Sequence, residues 1–213
     1  MTPRRSSSAR PRRPAKGKSG ALRQGKLRII GGDHRRRLLP VLDKPGLRPT
    51  PDRVRETLFN WLTGELHGAR VLDLFAGTGA LGLEALSRGA LRATFVERDS
   101  DVATALTENL ATLGIGEATV VTHDATAWLK GQAEAHELVF LDPPFRLGLA
   151  DACCEALEAG GWLADGAWIY LETEAELTPK VPATWQLRRD VRAGDSHGRL
   201  YRRTTQAADR DEP

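Results

Sequence analysis

Asp73-Leu74-Phe75-Ala76-Gly77-Thr78-Gly79-Ala80-Leu81-Gly82 ends an apolar run that begins at Arg70 and opens a segment of helical spacing near 80 to 88. A glycine turn between strand and helix lets the backbone approach a ligand and aims its amides at it. Outward from this turn the same alternation repeats. Candidate strands are Arg70 to Phe75, Ala93 to Glu97, Ala118 to Thr122, Glu137 to Asp142 and Ala167 to Glu172, and candidate helices fall near 80 to 88, 100 to 112, 124 to 131 and 149 to 159. Strand and helix alternating in this way imply an α/β fold with a mostly parallel, doubly wound sheet. The C-terminal part breaks the rhythm. Trp185 to Val191 and Arg199 to Thr204, joined by Gly194-Asp195-Ser196-His197-Gly198, predict a closing antiparallel hairpin, so the sheet is expected to be Rossmann-like with an antiparallel end.

The glycines do not identify the ligand by themselves. Gly77, Gly79 and Gly82 satisfy G-x-G-x-x-G, and Glu97 lies 20 residues beyond Gly77, where a dinucleotide site needs a ribose-binding acid. Asp73 adds the deciding charge: four residues before Gly77, it would repel a pyrophosphate and accept the ammonium of a methionine group. That favours S-adenosylmethionine over a nicotinamide dinucleotide. Glu97 can then accept both hydroxyls of an adenosine ribose, and Asp124, followed by Ala125, is placed to accept from the adenine amino group. Asp124 also suits a helix N-cap before Ala125 to Leu129, a role compatible with the first. The three acids close three successive strands, the edge at which open α/β sheets bind ligands. The expected cofactor residues are Asp73, Phe75, Gly77, Thr78, Gly79, Glu97, Asp124 and Ala125.

The fourth strand, Leu138-Val139-Phe140-Leu141, runs into Asp142-Pro143-Pro144-Phe145. Two prolines fix φ and remove two backbone donors, so the loop presents acceptors: the Asp142 carboxylate and the Pro143 carbonyl. Acceptors suit an NH2 substrate. A base amine is a poor nucleophile because its lone pair is delocalised into the ring, and two acceptors gripping its hydrogens can turn that lone pair outward. Phe145 can stack on a base taken out of its neighbours. A strand-terminating turn with a buried Phe is the alternative for such a tetrapeptide in isolation. His34, His67, His123, His136 and His197 show no metal-ligand spacing with cysteine, so no metal is expected.

Among 213 residues, 40% hydrophobic and 28% charged, no apolar run reaches the roughly 18 needed to span a bilayer, so a transmembrane helix is not expected. Cys153 and Cys154 adjoin in a helical segment, a spacing suited to neither a disulfide framework nor a metal site. They are expected to be reduced packing residues, which favours a cytoplasmic setting. Formal net charge is +3, but residues 1 to 48 hold 15 Lys+Arg against two acids, or +13, leaving −10 on the remainder. Such asymmetry is the footprint of a polyanion-binding arm, or more blandly of a solubilising tail.

Residues 1 to 25, Arg/Ser/Pro-rich and free of acid, are expected to be a disordered basic tail. They share the composition of a transit peptide but lack its apolar face. Leu27-Arg28-Ile29-Ile30, Gly31-Gly32 and Arg35-Arg36-Arg37-Leu38 predict a small basic hairpin within residues 26 to 48. Pro49-Thr50-Pro51-Asp52 then leads into a helix carrying Val54, Leu58, Phe59, Trp61 and Leu62. The main domain is expected over residues 49 to 204, with 205 to 213 frayed.

With these motifs assembled, the chain resembles the bacterial 16S rRNA guanine-N2 methyltransferase family that acts at position 966. The likeness runs over about residues 26 to 204: Arg28 to Gly32, Gly46-Leu47-Arg48-Pro49-Thr50, Asp52 to Leu62, Asp73 to Arg88, Asp142 to Arg146 and Gly161-Trp162-Leu163-Ala164-Asp165. The glycine and acid motifs are common to class I methyltransferases, whereas the Arg-Pro-Thr segment and the Asp-Pro-Pro-Phe-Arg context are closer to this family. The resemblance implies a seven-stranded class I methyltransferase sheet in which Asp73, Gly77, Thr78, Glu97 and Asp124 line S-adenosylmethionine and Asp142 to Phe145 hold guanine. It also implies 16S rRNA as partner, within a small ribosomal subunit or assembly intermediate, with Arg48, Thr50 and Arg55 near cofactor or RNA. Arg28, Arg35, Arg36, Arg37, Arg48, Arg55 and Arg146 are the expected RNA-binding residues, and monomer is the expected state. The competing readings are an adenine-N6 methyltransferase, a non-catalytic rRNA-binding assembly factor and a nicotinamide-dependent oxidoreductase. The residues 1 to 25 arm exceeds what the family leads one to expect.

Overall fold

Alternate residues along each central strand are buried on opposite faces, which decides the layering. A computed structural model describes residues 24–44, 47 and 50–204. In it β3 (Arg70–Asp73), β4 (Arg92–Glu97), β5 (Ala118–Thr122), β6 (His136–Leu141) and β7 (Leu163–Glu174) pair in parallel, and β8 (Trp185–Ala193) and β9 (Ser196–Arg203) close the sheet antiparallel. The order is β5-β4-β3-β6-β7-β9-β8. Val71, Phe95, Phe140, Tyr170 and Leu200 face one core, shared with α1 (Asp52–Trp61), α2 (Ala80–Ser87) and α3 (Ser100–Leu113). Leu72, Val96, Val139, Leu141, Ile169, Leu171 and Tyr201 face the other, shared with α4 (Ala125–Trp128) and α5 (Leu149–Ala159). Strands buried on both faces read as nearly continuous apolar runs, which is why their positions are visible in the sequence. The chain leaves β3 toward β4 on one side and reaches β6 on the other, so the strand order reverses beside β3, where open sheets hold ligands.

Cys153 and Cys154 are free and buried in α5 within the second core. Burial pushes the Cys153 thiol up to about 11 and Cys154 further. No described helix is long and apolar enough to cross a membrane.

Several boundaries differ from expectation for local reasons. β3 stops at Asp73, because Leu74 and Phe75 already turn away, keeping only ladder-like bonds from Leu74 N to Phe140 O (3.0 Å) and Ala76 N to Val96 O (3.0 Å). Helix α4 shrinks to four residues, Ala125–Trp128. β7 begins earlier, at Leu163, and carries Gly166 at φ 66 beside an irregularity in its register with β6. Gly166 is absorbed as a kink within the strand. The C-terminal turn is Gly194-Asp195 alone, and Gly198 lies inside β9: a Cβ there would stand 2.2 Å from the Tyr170 hydroxyl, so glycine serves close packing and not a bend.

The N-terminal hairpin forms in a different register. β1 (Gln24–Arg28) pairs antiparallel with β2 (Leu38–Leu42), Arg28 opposite Leu38, so Arg35, Arg36 and Arg37 occupy the connection instead of a strand. That connection is docked on the end of α2. Glu84, fully buried, accepts from Ile30 N and Gly31 N, both at 2.8 Å, and Ser87 O accepts from Asp33 N at 2.7 Å. Gly32 has φ 74, and a Cβ there would meet Ser87 O at 1.7 Å, so only glycine fits. Leu27, Ile29 and Leu39 bury into the first core. The expected tail of residues 1 to 25 lies outside the described residues except at Gln24 and Gly25, which belong to β1, and the expected fray from 205 also lies outside them.

Candidate active site

The glycine turn places its acids by hydrogen bonds of its own. Asp73 is 3% exposed, and its Oδ2 accepts from Gly82 N at 3.0 Å. Burial raises its pKa to about 7, with the Glu97 charge adding to the rise and the Gly82 amide opposing it. Glu97, at the end of β4, accepts from Gly77 N through Oε2 (2.9 Å) and from Asp99 N through Oε1 (2.7 Å). Each oxygen keeps a further lone pair, as a vicinal diol requires. Asp124 caps α4, its Oδ1 accepting from Thr126 Oγ1 (2.6 Å) and Ala127 N (2.9 Å), and these bonds, the Thr126 hydroxyl first, lower its pKa. The N-cap reading of Asp124 is thus borne out.

One cavity of about 430 Å³ gathers most of the expected residues. Asp73, Phe75, Gly77, Thr78, Glu97, Asp124 and Ala125 line it together with Asp142, Pro143, Pro144 and Phe145. Gly79 does not. It is the left-handed residue before α2 (φ 76), and a Cβ there would stand 2.4 Å from Leu106 Cδ1, so its glycine serves packing. This set of acceptors fits S-adenosylmethionine: a buried carboxylate for an ammonium, a second for ribose hydroxyls and a third at the adenine end. Among the described residues no group of three or more His, Cys, Asp or Glu is arranged to hold a metal ion.

Lys44, Leu47, Arg98 and Asp99 also line the cavity and were not anticipated; Thr50, which the resemblance put near cofactor or RNA, lines it too. Lys44 Nζ reaches Asp99 (2.7 and 2.9 Å) and Asp101 (2.8 Å), tying the segment after the hairpin to the first turn of α3. Asp99 is the N-cap of α3, accepting from Asp101 N and Val102 N, and a cap signature before residue 100 could have revealed it. Lys44 sits in a segment without periodicity and left no comparable signal.

The expected RNA-binding arginines separate. Arg35, Arg36 and Arg37 are exposed on the hairpin connection, where Arg36 has φ 67 and Arg37 Nη2 donates to Thr112 O at 3.3 Å. Arg28 is exposed and paired with Asp52 at 2.7 Å. Arg146 is exposed at φ 63, its backbone N–H donating to Glu174 Oε1 at 2.8 Å. Arg48 lies outside the described residues. Arg55 is a correction: at 1% exposure it is a core residue, bonded to Arg28 O (2.8 Å) and Asp52 (2.6 Å) and standing 3.7 Å from Glu84, so no strand of nucleic acid can reach it.

A reversed parallel sheet, a glycine turn after its first strand and an acidic strand edge facing an Asp-Pro-Pro-Phe loop define a class I methyltransferase. The chain belongs to the family described as Conserved hypothetical protein 95, whose model matches residues 27–202. It is 55% identical over 183 residues to the ribosomal RNA small subunit methyltransferase D of Escherichia coli (strain K12), covering 85% of this chain and 92% of that one. It is 46% identical to the protein of the same name from Haemophilus influenzae, with 84% and 94% covered. The solved structure of Escherichia coli yhhF superposes with a TM-score of 0.81 at 51% identity, covering 85% of this chain and 100% of that one. The Thermus thermophilus 16S rRNA N2 G1207 methyltransferase in complex with AdoMet and guanosine shares the fold, with a TM-score of 0.61 at 22% identity over 87% of this chain and 51% of that one.

Proposed function

We propose that the chain methylates the exocyclic N2 amine of a guanine in small-subunit rRNA, guanine 966 by the family resemblance, using S-adenosylmethionine. The observation that carries the reading is the single cavity shared by Asp73, Glu97 and Asp124 on one side and Asp142 to Phe145 on the other. S-adenosylmethionine supplies an electrophilic methyl group. Asp73 holds an ammonium as the ionised carboxylate, Glu97 takes two hydroxyls, and Asp124 accepts an amino hydrogen. The Asp142 carboxylate and the Pro143 carbonyl accept the two hydrogens of the substrate amine, directing its lone pair into the cavity, and Phe145 stacks on the flipped base. A target inside a protein-bound small subunit or assembly intermediate, in the cytoplasm, completes the proposal; the relatives' names support an rRNA substrate, and the buried reduced cysteines suit that compartment.

The test is Asp142→Ala in single-turnover methylation at saturating cofactor. Methyl transfer should fall by about 10²-fold or more while S-adenosylhomocysteine affinity stays near wild type, because an interaction with the reacting group acts chiefly in the transition state. Phe145→Ala should instead weaken RNA binding by about 1 to 3 kcal/mol, and Phe145→Tyr should keep most activity. A folded Asp142→Ala protein that transfers methyl at the wild-type rate would remove the proposed role.

A further inference from the structure

We propose that the outer edge of the sheet, Arg188, Arg189 and Arg192 of β8 together with Arg146, is a second phosphate-binding surface along which the rRNA strand runs from the target base. The inference rests on the rRNA reading above and extends it to a face of the protein opposite in sheet order to β5. β8 is the outermost strand, and all four arginines are exposed.

Many arginines of the described residues are ion-paired, whereas the four of this edge, like Arg35, Arg36, Arg37, Arg53 and Arg98, are not. Elsewhere Arg28 pairs with Asp52, Arg70 with Glu137, Arg88 with Glu84, Arg92 with Glu134, Arg202 with Glu65 and Arg203 with Glu158. Among the described residues no carboxylate pairs with the side chain of Arg146, Arg188, Arg189 or Arg192. The side-chain bonds they make are single donations to carbonyls, Arg189 Nη1 to Arg188 O (3.1 Å) and Arg192 Nη1 to Ala175 O (3.3 Å), which leave most of each guanidinium's five donors open. Two nearby acids are engaged: Asp190 Oδ2 with His197 Nε2 at 2.8 Å, and Glu174 Oε1 with the Arg146 amide.

The edge is also joined to the catalytic loop. Arg146 follows Phe145, its amide is held by Glu174 at the end of β7, Ala175 N donates to Asp195 O in the β8–β9 turn (2.8 Å), and Arg192 returns to Ala175 O. A shift in register between Leu187 and Arg189 makes Arg188 an extra residue, and beyond it Arg189 and Arg192, three positions apart, project from opposite faces of the edge strand, so that the edge is basic on both sides. From Arg188 to Arg192 the strand spans roughly 13 Å, enough to follow a backbone across more than one phosphate.

Apolar surface is available in the same places. Among the described residues four large apolar side chains are exposed, Leu38, Leu91, Leu147 and Leu187, and three of them adjoin arginines without a carboxylate partner: Arg37, Arg146 and Arg188. Guanidinium beside exposed apolar surface suits phosphate beside unstacked base or sugar. A peptide adding itself to the β8 edge would use the backbone and be indifferent to these side chains.

The experiment compares full-length wild type with the triple variants Arg188→Ser/Arg189→Ser/Arg192→Ser and Arg188→Lys/Arg189→Lys/Arg192→Lys, titrated with a naked small-subunit rRNA fragment over a salt series. The Ser triple should bind about tenfold more weakly at 0.15 M salt, with the log K against log salt slope reduced by about 2, near 0.7 for each neutralised phosphate on a single strand. The Lys triple should keep the slope, and S-adenosylhomocysteine affinity should be unchanged in both. Arg188→Ser alone, at an exposed bulge, should lower the slope by about 0.7 and keeps the proposal testable if the Ser triple folds poorly. An unchanged slope in a folded variant overturns the proposal. Wild type that neither binds nor methylates rRNA would instead sink the proposed function, so the two failures are distinct.

Discussion

Asp73 combines a buried carboxylate, a single amide donor and a place at the cavity wall, so its protonation should be visible in cofactor binding. With a pKa near 7 in the free protein it is largely protonated at pH 6 and ionised at pH 8. An ammonium ligand needs the ionised form. S-adenosylhomocysteine measured by calorimetry should therefore bind about tenfold more weakly at pH 6 than at pH 8, and Asp73→Asn should bind poorly with no such dependence. The stability effect has the opposite sign. A carboxylate raised from 3.8 to about 7 holds its proton more tightly in the folded state, so its contribution is favourable at low pH, declines as pH rises from about 4 to 7 and is lost above it. Ligand-free Asp73→Asn should gain stability at pH 8, on the order of a few kcal/mol, and none at pH 4 in urea titrations. A pH-independent affinity would mean that Asp73 does not meet the ammonium.

At the level of elements, α2 carries two loads: its first turn forms the glycine loop, and Glu84 and Ser87 near its end hold the hairpin connection. Glu84 also meets Arg88 Nε at 2.7 Å and Arg55 at 3.7 Å. Glu84→Gln removes the charge that balances buried Arg55 and turns an amide donor toward backbone N–H groups, so it should cost about 3 to 5 kcal/mol. Hydrogen exchange should speed at Ile30 and Gly31 before it speeds in β3; uniform exchange would mean the hairpin and sheet open together. Such links explain what the sequence could and could not tell. The strands around Leu72, Phe95 and Phe140, the glycine turn and the Asp142 loop were legible because each is a local pattern of apolar runs and breakers. The hairpin register, the burial of Arg55 and the bond from Lys44 to Asp99 depend on partners 27 to 55 positions away. No local pattern records them, so arginines that look alike in sequence divide into core and surface only when the chain folds.

For the molecule as a whole, charge separation is the dominant feature, +13 on residues 1 to 48 against −10 on the rest. Removing residues 1 to 23 should reduce the salt slope of rRNA binding by about 0.7 for each phosphate that the arm neutralises and leave S-adenosylhomocysteine affinity untouched, since among the described residues the cavity is lined from Lys44 onward. An unaltered slope would make the arm a bystander. The acidic body then carries the chemistry, and its product is the most direct witness to it. Small ribosomal subunits from a strain lacking the modification should be incubated with the protein and S-adenosylmethionine, and the digested nucleosides measured by mass spectrometry. N2-methylguanosine is the predicted product, dependent on Asp142; N6-methyladenosine, or no methylated nucleoside at all, would contradict it.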